Sequence, residues 1–325
     1  MNNINTPYAH LNPSVILDAV ENVGFQCNGS LIALNSFENR VYQVGIENAE
    51  PLIAKFYRPS RWRDEAILEE HAYALELAQY EIPVVAPLSI HDKTLHVYRE
   101  FRFALFPRQS GRPLELDNLE HLEWMGRFIG CIHAVGATRP FQYRQRLDMQ
   151  TFGHQPYQFL LQHDFIPAEM KHNFCYTVDT LLHMIEKSFQ LVGPLHNIRL
   201  HGDCHAGNVL WNKQGPLFVD LDDCLMGPAI QDIWMLLSGN AEQMDLQLHH
   251  ILLGYREFFD FNPCEIQLVE TLRTLRMIHY MGWLAKRWED PAFPLNFPWF
   301  NTPRYWQEQL LHLNEQVSLL GMCTK

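Results

Sequence analysis

The sequence lacks the features that mark exported, membrane-spanning and disulfide-bonded proteins. Its 325 residues contain no run of about 18 apolar residues, so no segment is predicted to span a bilayer. Residues 1–13 have neither the basic nor the apolar stretch of an export signal. The seven cysteines are scattered and form no CxxC pair, which argues against a disulfide framework and a zinc ribbon. We therefore expect a cytoplasmic protein that binds no membrane.

Positive charge is also scarce. The chain has 25 Lys and Arg against 37 Asp and Glu, a net charge of −12. Because sequence-independent nucleic-acid binding needs basic surface to displace counterions, no nucleic-acid partner is expected. An anionic cofactor would need local positive charge. With 47% hydrophobic and 19% charged residues the chain can bury substantial cores, and its length suits two lobes.

The apolar pattern changes near residue 106. Before it, short strand-like runs surround a helical stretch at 62–80, which predicts the order β-β-β-α-β-β. After it helical periodicity dominates, and the predicted helices are 118–135, 167–191, 228–239, 245–260, 263–288 and 302–320. We predict an α+β, bilobal fold: a small antiparallel β-sheet with one helix at 1–106, and a larger, mainly helical lobe at 107–325.

Short apolar strands around a polar loop interrupt the helical half at 197–222. Asp203 precedes Asn208 by five residues in HGDCHAGNVL, and Asp220 follows the next apolar strand. Phosphoryl transfer needs such a set, because Mg²⁺ takes oxygen ligands while a separate carboxylate accepts the proton of the acceptor hydroxyl. The order matches that of kinases. It predicts that Asp203 is the catalytic base and that Asn208 and Asp220 hold Mg²⁺ for ATP.

Two histidines in the same loop admit a different interpretation. His201 and His205 are four residues apart, as in the helical HExxH motif of zinc enzymes, but Gly202 and Gly207 disfavour a helix here. His201 is therefore predicted to brace the loop by hydrogen bonds. Asp232, on the apolar helix that follows, is predicted to be another brace, because a buried carboxylate needs hydrogen-bond donors.

The nucleotide side of the site is predicted from the first lobe. Lys55, in the strand LIAKFY, has the position of the kinase lysine that touches the α- and β-phosphates. Glu70 is its expected carboxylate partner, with Glu69 as the alternative. The segment LNSFENRVYQV occupies the phosphate-covering position without a GxGxxG motif, so backbone amides and the Ser36 hydroxyl would replace the glycines.

Several motifs carry a family resemblance. HGDCHAGNVLW, FVDLDD and GPAIQD resemble the aminoglycoside-phosphotransferase-like branch of the protein-kinase-like fold, and LNSFENRVYQV, ILEEH and WEDPAFPLNFPWF are similar to bacterial stress-response kinases of that branch. The resemblance implies a cytoplasmic, monomeric serine/threonine protein kinase with a protein acceptor. Its implied active-site residues are Asp203 and Asp220, its Mg²⁺ ligands Asn208 and Asp220, and its nucleotide-site residues Ser36, Lys55 and Glu70.

The chain departs from eukaryotic protein kinases in having HGD for HRD, DLD for DFG and no APE segment. A small-molecule kinase acting on choline, homoserine, a sugar or an aminoglycoside would use the same machinery, and the core motifs do not separate the two. A pseudokinase scaffold would usually have lost the base, the lysine or the metal carboxylate, and all three are present. For a protein acceptor, the negative net charge predicts basic residues around the target hydroxyl. Asp222 and Asp223 are predicted to be solvated or to lie behind the metal ligands.

Overall fold

The computed structural model describes residues 6–323. The first part of the chain contains a five-stranded antiparallel sheet. Its strands follow the order β1-β2-β3-β5-β4. Their bounds are β1 Cys27–Ala33, β2 Arg40–Ile46, β3 Leu52–Phe56, β4 His96–Tyr98 and β5 Phe101–Pro107. Lys55 lies on β3, where it pairs in register with Val41 of β2 and Ala104 of β5. The lysine is thus held in the middle of the sheet.

A helix covers each face of this sheet. Helix α1 (Pro13–Asn22) packs its apolar side against a core that includes Ala54 and Phe56 of β3. Helix α2 (Asp64–Gln79) lies on the Lys55 face. The predicted order of strands and α2 is confirmed, whereas α1 was not predicted. The sequence signal for α1 is Asn12, whose side chain accepts from the Val15 N–H, followed by a proline at the first helical position.

The remainder of the chain is mainly helical and shares one large hydrophobic core. Its helices are α3 Leu119–Gly136, α4 Gln155–Gln162, α5 Ala168–Val192, α6 Ile230–Trp234, α7 Ala241–Tyr255, α8 Val269–Lys286, α9 Ala292–Asn296 and α10 Pro303–Cys323. No helix within residues 6–323 is long and apolar enough to cross a membrane.

Two of the predicted helices were too long. The segment 228–239 holds only α6, because Gly239 adopts a positive φ and Asn240 caps the start of α7. The segment 263–288 begins as a 3₁₀ turn, Pro263–Leu268, and becomes α-helical only at α8. Helices α4 and α9 were not predicted.

Short strands hold the polar loop of the helical part. They are β6 Arg112–Pro113, β7 Ile198–Leu200, β8 Val209–Asn212, β9 Gly215–Phe218 and β10 Leu225–Gly227. Strand β7 pairs with β10, and β8 lies between β6 and β9. The amide of Phe218 donates to the Pro83 carbonyl, and the amide of Val85 donates back to Phe218. This pair of hydrogen bonds fixes the loop-bearing hairpin to the segment that follows α2.

Candidate active site

One cleft of about 620 Å³ opens between the sheet and the helical part. The polar loop between β7 and β8 forms one wall, and strand β3 forms the other. Every residue predicted for the active site lines this cleft: Ser36, Lys55, Glu70, Asp203, Asn208 and Asp220. Residues up to 184 positions apart in sequence are thus brought into one space.

Lys55 is the buried centre of a group of carboxylates. Its ammonium lies 3.0 Å from Asp220 Oδ1, 3.1 Å from Asp222 Oδ1 and 3.5 Å from Glu70 Oε1. Burial alone would lower the pKa of Lys55, but the three negative charges outweigh it and hold that pKa well above its usual value. The lysine therefore stays charged at neutral pH.

The two candidate partners of Lys55 on α2 have different roles. Glu70 is buried and contacts the lysine, whereas Glu69 points the other way and accepts backbone N–H groups of Gln142, Tyr143 and Arg144. Successive residues on a helix face different directions, so only one of the two can reach the sheet. The structure favours Glu70.

Asp222 is buried, which corrects the prediction that it is solvated; its alternative, a position behind the metal ligands, stays a prediction. Besides Lys55, its carboxylate contacts Arg61 and accepts a 3.1 Å hydrogen bond from the Asn39 side chain. Burial opposes ionisation, but the charges of Arg61 and Lys55 prevail and lower the pKa of Asp222 below its usual value. Arg61 also pairs with Asp223. These contacts tie the cleft loop before β2 and the segment after β3 to the 3₁₀ turn Leu221–Asp223 that follows β9.

Hydrogen bonds from helix α6 and from the loop itself hold the Asp203 loop in place, as predicted. Asp232 on α6 is buried and accepts the backbone N–H groups of His201 and Gly202, both at 2.8 Å. His201 in turn contacts the Val219 carbonyl at 3.0 Å. The predicted bracing by Asp232 and His201 is confirmed, and it fixes Asp203 relative to the segment after β9 that bears Asp220.

Gly202 is required where the two loops meet. Its φ is +84°, and a Cβ on this residue would lie 2.2 Å from the Asp223 carbonyl oxygen. Only glycine permits so close an approach of two backbones in this conformation. The residue before Asp203 thus sets the distance between the Asp203 loop and the Asp220 loop.

Asp203 lies at the open side of its loop with its two carboxylate oxygens in different surroundings. Oδ2 is 3.3 Å from Asn208 Nδ2 and 3.4 Å from His205 Nε2. Oδ1 is buried 2.8 Å from Arg276 Nη2 but accepts no hydrogen bond from any residue between 6 and 323. Burial would raise the pKa of Asp203, but the hydrogen bond from His205 and the charge of Arg276 lower it below its usual value. The carboxylate is therefore ionised and able to accept a proton.

Asn208 and Asp220 offer oxygen atoms suited to a divalent cation. The Asn208 amide nitrogen donates to the backbone and side chain of Asp203, which leaves its Oδ1 available. The Asp220 side chain is 54% exposed, on a backbone in the left-handed conformation (φ 59°, ψ 69°) that Asp tolerates better than most residues. One or two carboxylates plus substrate phosphates is the usual protein site for Mg²⁺. The donor set fits that ion.

The loop over the cleft is held by its own residues. Ser36 donates to the Asn39 carbonyl at 2.8 Å, so its proton is used within the loop. Glu38 pairs with Arg58, Arg61 and Arg287, and it accepts from the Trp283 indole N–H at 2.7 Å. Ion pairs and side-chain hydrogen bonds thus shape a turn that the glycines of a GxGxxG motif form in many kinases.

Sequence reasoning missed several residues around this cleft: Glu38, Asn39, Arg61, Trp283 and Arg276. The available signal was the presence of arginines in a chain that has few basic residues. Three of them, Arg58, Arg61 and Arg287, form largely buried ion pairs at this cleft. Their partners lie far away in sequence, so spacing alone does not identify them. Five aromatic residues in and between the last helices are buried in the large core: Phe293, Phe297, Phe300, Tyr305 and Trp306.

The fold and the cleft together define a two-lobed phosphotransferase. Residues 30–265 match the phosphotransferase enzyme family, and the chain belongs to that family. It is 43% identical over 320 residues to "Stress response kinase A" of Salmonella paratyphi A, a match that spans 98% of this chain and 97% of the relative. It is 42% identical, over the same shares of both chains, to "Serine/threonine protein kinase RdoA" of Salmonella typhimurium.

Solved structures show the same fold. An amicoumacin kinase, hAmiN, in complex with AMP-PNP, Ca²⁺ and Ami, matches 92% of this chain and 91% of its own with a TM-score of 0.70. The two sequences are 19% identical, so the likeness concerns the fold. The expected bilobal α+β fold of the kinase-like phosphotransferases is confirmed.

Proposed function

We propose that this protein is an ATP- and Mg²⁺-dependent serine/threonine protein kinase. The observation that carries the proposal is the convergence of Lys55, Asp203, Asn208 and Asp220 on one cleft between the sheet and the helical part. A positive charge for phosphates, oxygen donors for a cation and an ionised carboxylate for a proton are the requirements of phosphoryl transfer.

The nucleotide would occupy the inner part of this cleft. Ile53, Phe106 and Leu210 supply apolar walls for the adenine ring, next to the backbone of Pro107. Lys55, held by Glu70, would bind the phosphates, with the Ser36 loop above them. Asn208 and Asp220 would hold Mg²⁺, which supplies charge neutralisation at the phosphate oxygens when bound.

Asp203 would accept the proton. As the acceptor hydroxyl oxygen bonds to the γ-phosphorus, the bond from that phosphorus to the bridging oxygen of ADP breaks, and the hydroxyl proton moves to Asp203 Oδ1. Oδ2 is engaged by Asn208 and His205, which orients the carboxylate for this step. The bracing by Asp232 keeps the loop from moving as the charge redistributes.

A protein hydroxyl is the proposed acceptor, because the relatives that match the whole chain are named as a stress response kinase and a serine/threonine protein kinase. We further propose a cytoplasmic monomer that acts in a stress response. We also propose a division at 106/107 into a nucleotide-binding lobe and a catalytic lobe, beside Pro107, where β5, the last strand of the sheet in chain order, ends.

Transfer from γ-labelled ATP tests the proposal. Purified protein with Mg²⁺ is offered either generic protein acceptors or an extracted metabolite pool, and the labelled product is separated. A protein kinase leaves acid-stable, base-labile label on Ser or Thr. Label found only on a small alcohol, with protein unlabelled, would contradict the protein acceptor and leave the phosphotransferase activity standing.

A further inference from the structure

Arg276 lies beside the oxygen of Asp203 that the proposed chemistry needs free. Its Nη2 is 2.8 Å from Oδ1, while Oδ2 faces Asn208. Asn208 belongs to the nucleotide side of the cleft in the proposed function. An acceptor that attacks in line must enter opposite the leaving ADP, which is the side of Asp203 occupied by Arg276 and helix α8.

The same face of α8 continues as an aromatic shelf. Tyr280 and Trp283 follow Arg276 at four and seven positions, the spacing of one helix face. Their rings stack 5.6 Å apart at 10°, Trp283 lines the cleft, and Tyr280 is 41% exposed. The Arg276 guanidinium and the two stacked rings therefore lie along one face of α8 beside Asp203. This face is long enough to contact several residues of a peptide.

The segment that carries this shelf is locally rich in basic residues. Residues 276–288 contain two arginines and one lysine but no Asp or Glu, although the chain carries a net charge of −12. Arg287 is paired with Glu38. Within residues 6–323 the ion pair of Arg276 is with Asp203, and its side chain is 39% exposed. Arg276 is thus a cation whose partner is the base itself.

We propose that Arg276 is a specificity-determining residue that binds the carboxylate of an Asp or Glu close to the target hydroxyl of the acceptor. The inference rests on the proposed function. The incoming hydroxyl displaces the guanidinium from Oδ1, and because that group stays charged, it needs a new anionic partner. An acidic neighbour of the target residue provides one; a neutral or basic neighbour does not.

This conclusion reverses the expectation of basic residues around the target. That expectation came from the net charge of the whole chain, whose distant groups are screened beyond about 10 Å at ordinary ionic strength. A cation in contact with the acceptor acts at short range and outweighs them. The local charge beside Asp203 is therefore the better guide to the acceptor.

The test compares Ser and Thr peptides that carry Asp, Asn or Lys at each position flanking the hydroxyl. With γ-labelled ATP, the wild-type protein is expected to use the best Asp peptide roughly 10- to 100-fold more efficiently in kcat/KM than its Asn counterpart, mainly through KM. Arg276→Gln should bring this ratio close to one. Arg276→Glu should favour the Lys peptide.

The control is Arg273→Gln, which removes the same charge one turn earlier on α8, where Arg273 faces Trp234 and Glu270; it should keep the preference. Binding of Mg·ADP at wild-type affinity checks that each variant is folded, and Arg276→Lys, which keeps the charge, should retain part of the preference. Two results would overturn the inference but not the proposed function. In one, the wild-type protein labels peptides without favouring acidic ones; in the other, the preference for Asp peptides survives in Arg276→Gln. No label on any peptide overturns both.

Discussion

Lys55 donates a 3.0 Å hydrogen bond to Asp220 Oδ1 across 165 positions of sequence. The lysine belongs to the central strand of the sheet, and the aspartate lies two residues beyond the end of β9. In the proposed function both groups serve the phosphates, the lysine directly and the aspartate through Mg²⁺. Nucleotide binding would therefore insert phosphate and cation between two groups that now neutralise each other.

The first prediction concerns this cation site. Asp220→Asn should weaken nucleotide binding in the presence of Mg²⁺ and abolish turnover at saturating ATP, because the amide loses the charge that holds the ion. Calorimetric titration of ADP with and without Mg²⁺ measures the effect. Asp245→Asn, on the exposed face of α7, is the control. An Mg²⁺ dependence equal to that of the wild type would rule out Asp220 as a ligand.

The second prediction separates two costs of replacing glycine. Gly193 has a φ of +79° but open space around its Cβ position, whereas Gly202 combines a φ of +84° with the contact to Asp223. Gly193→Ala should cost about 1–3 kcal/mol of stability, the range for a strained backbone, with turnover intact. Gly202→Ala should cost more and also lose turnover, because the Asp203 loop must shift. Equal effects in urea unfolding and activity would show that the loop contact is unimportant.

The third prediction concerns the ion pair of Arg61 and Asp222. Because both side chains are largely buried, Arg61→Gln should cost between about 1 kcal/mol and the roughly 3–5 kcal/mol of a fully broken buried pair, since the Asp222 carboxylate loses one of its two cationic partners and keeps Lys55. The half-exposed pair of Arg112 and Glu115 is the comparison, and Arg112→Gln should cost less than about 1 kcal/mol. Urea unfolding of the two variants measures both values. Similar small losses would mean that Arg61 contributes no more than a surface arginine.

The fourth prediction concerns acid. His71 is buried between Tyr57 and Thr94, and burial together with the charge of Lys55 lowers its pKa to about 3. In the unfolded chain His71 is protonated below about pH 6.5, whereas in the folded state it stays neutral. Its contribution therefore makes the free energy of unfolding fall as the pH falls below 6.5. Between pH 6.5 and 5.5 its share is about 1 kcal/mol.

His71→Gln should remove that share. The measurement is the free energy of unfolding at pH 6.5 and 5.5 for both proteins, and the difference between the two pH dependences isolates His71 from other titrating groups. The variant should lose about 1 kcal/mol less than the wild type on acidification. Identical pH dependences would show that His71 also accepts a proton in the folded state.

Local sequence patterns were sufficient to predict the polar loop of the active site and the main helices and strands. Asp203 and Asn208 precede the β8–β9 hairpin and Asp220 follows it, so their spacing fixes their approximate geometry before any tertiary contact is known. Lys55 was found because a charged residue stands out in an apolar strand. Each of these signals lies within a short stretch of sequence, 17 positions in the case of Asp203 and Asp220.

Contacts between distant segments were not accessible in this way. Asp222 looks like a solvated turn residue until Arg61 and Lys55 are placed against it, 161 and 167 positions away. Arg276 belongs to a helix whose existence was predicted but whose orientation toward Asp203 depends on packing. Helix α1 was missed although its signals are local, since Asn12 and Pro13 lie just before apolar residues at helical spacing. The features that the sequence did not predict were mostly ion pairs between segments on opposite sides of the cleft.

Phosphoryl transfer by Asp203→Asn tests the central claim most directly. The amide keeps the shape of the carboxylate but cannot accept the proton, so turnover of γ-labelled ATP onto its acceptor should fall by about 10²–10⁴-fold while the affinity for Mg·ADP stays near that of the wild type. A variant that retains more than about a tenth of wild-type turnover, a loss well below that range, would contradict the assignment of Asp203 as the proton acceptor.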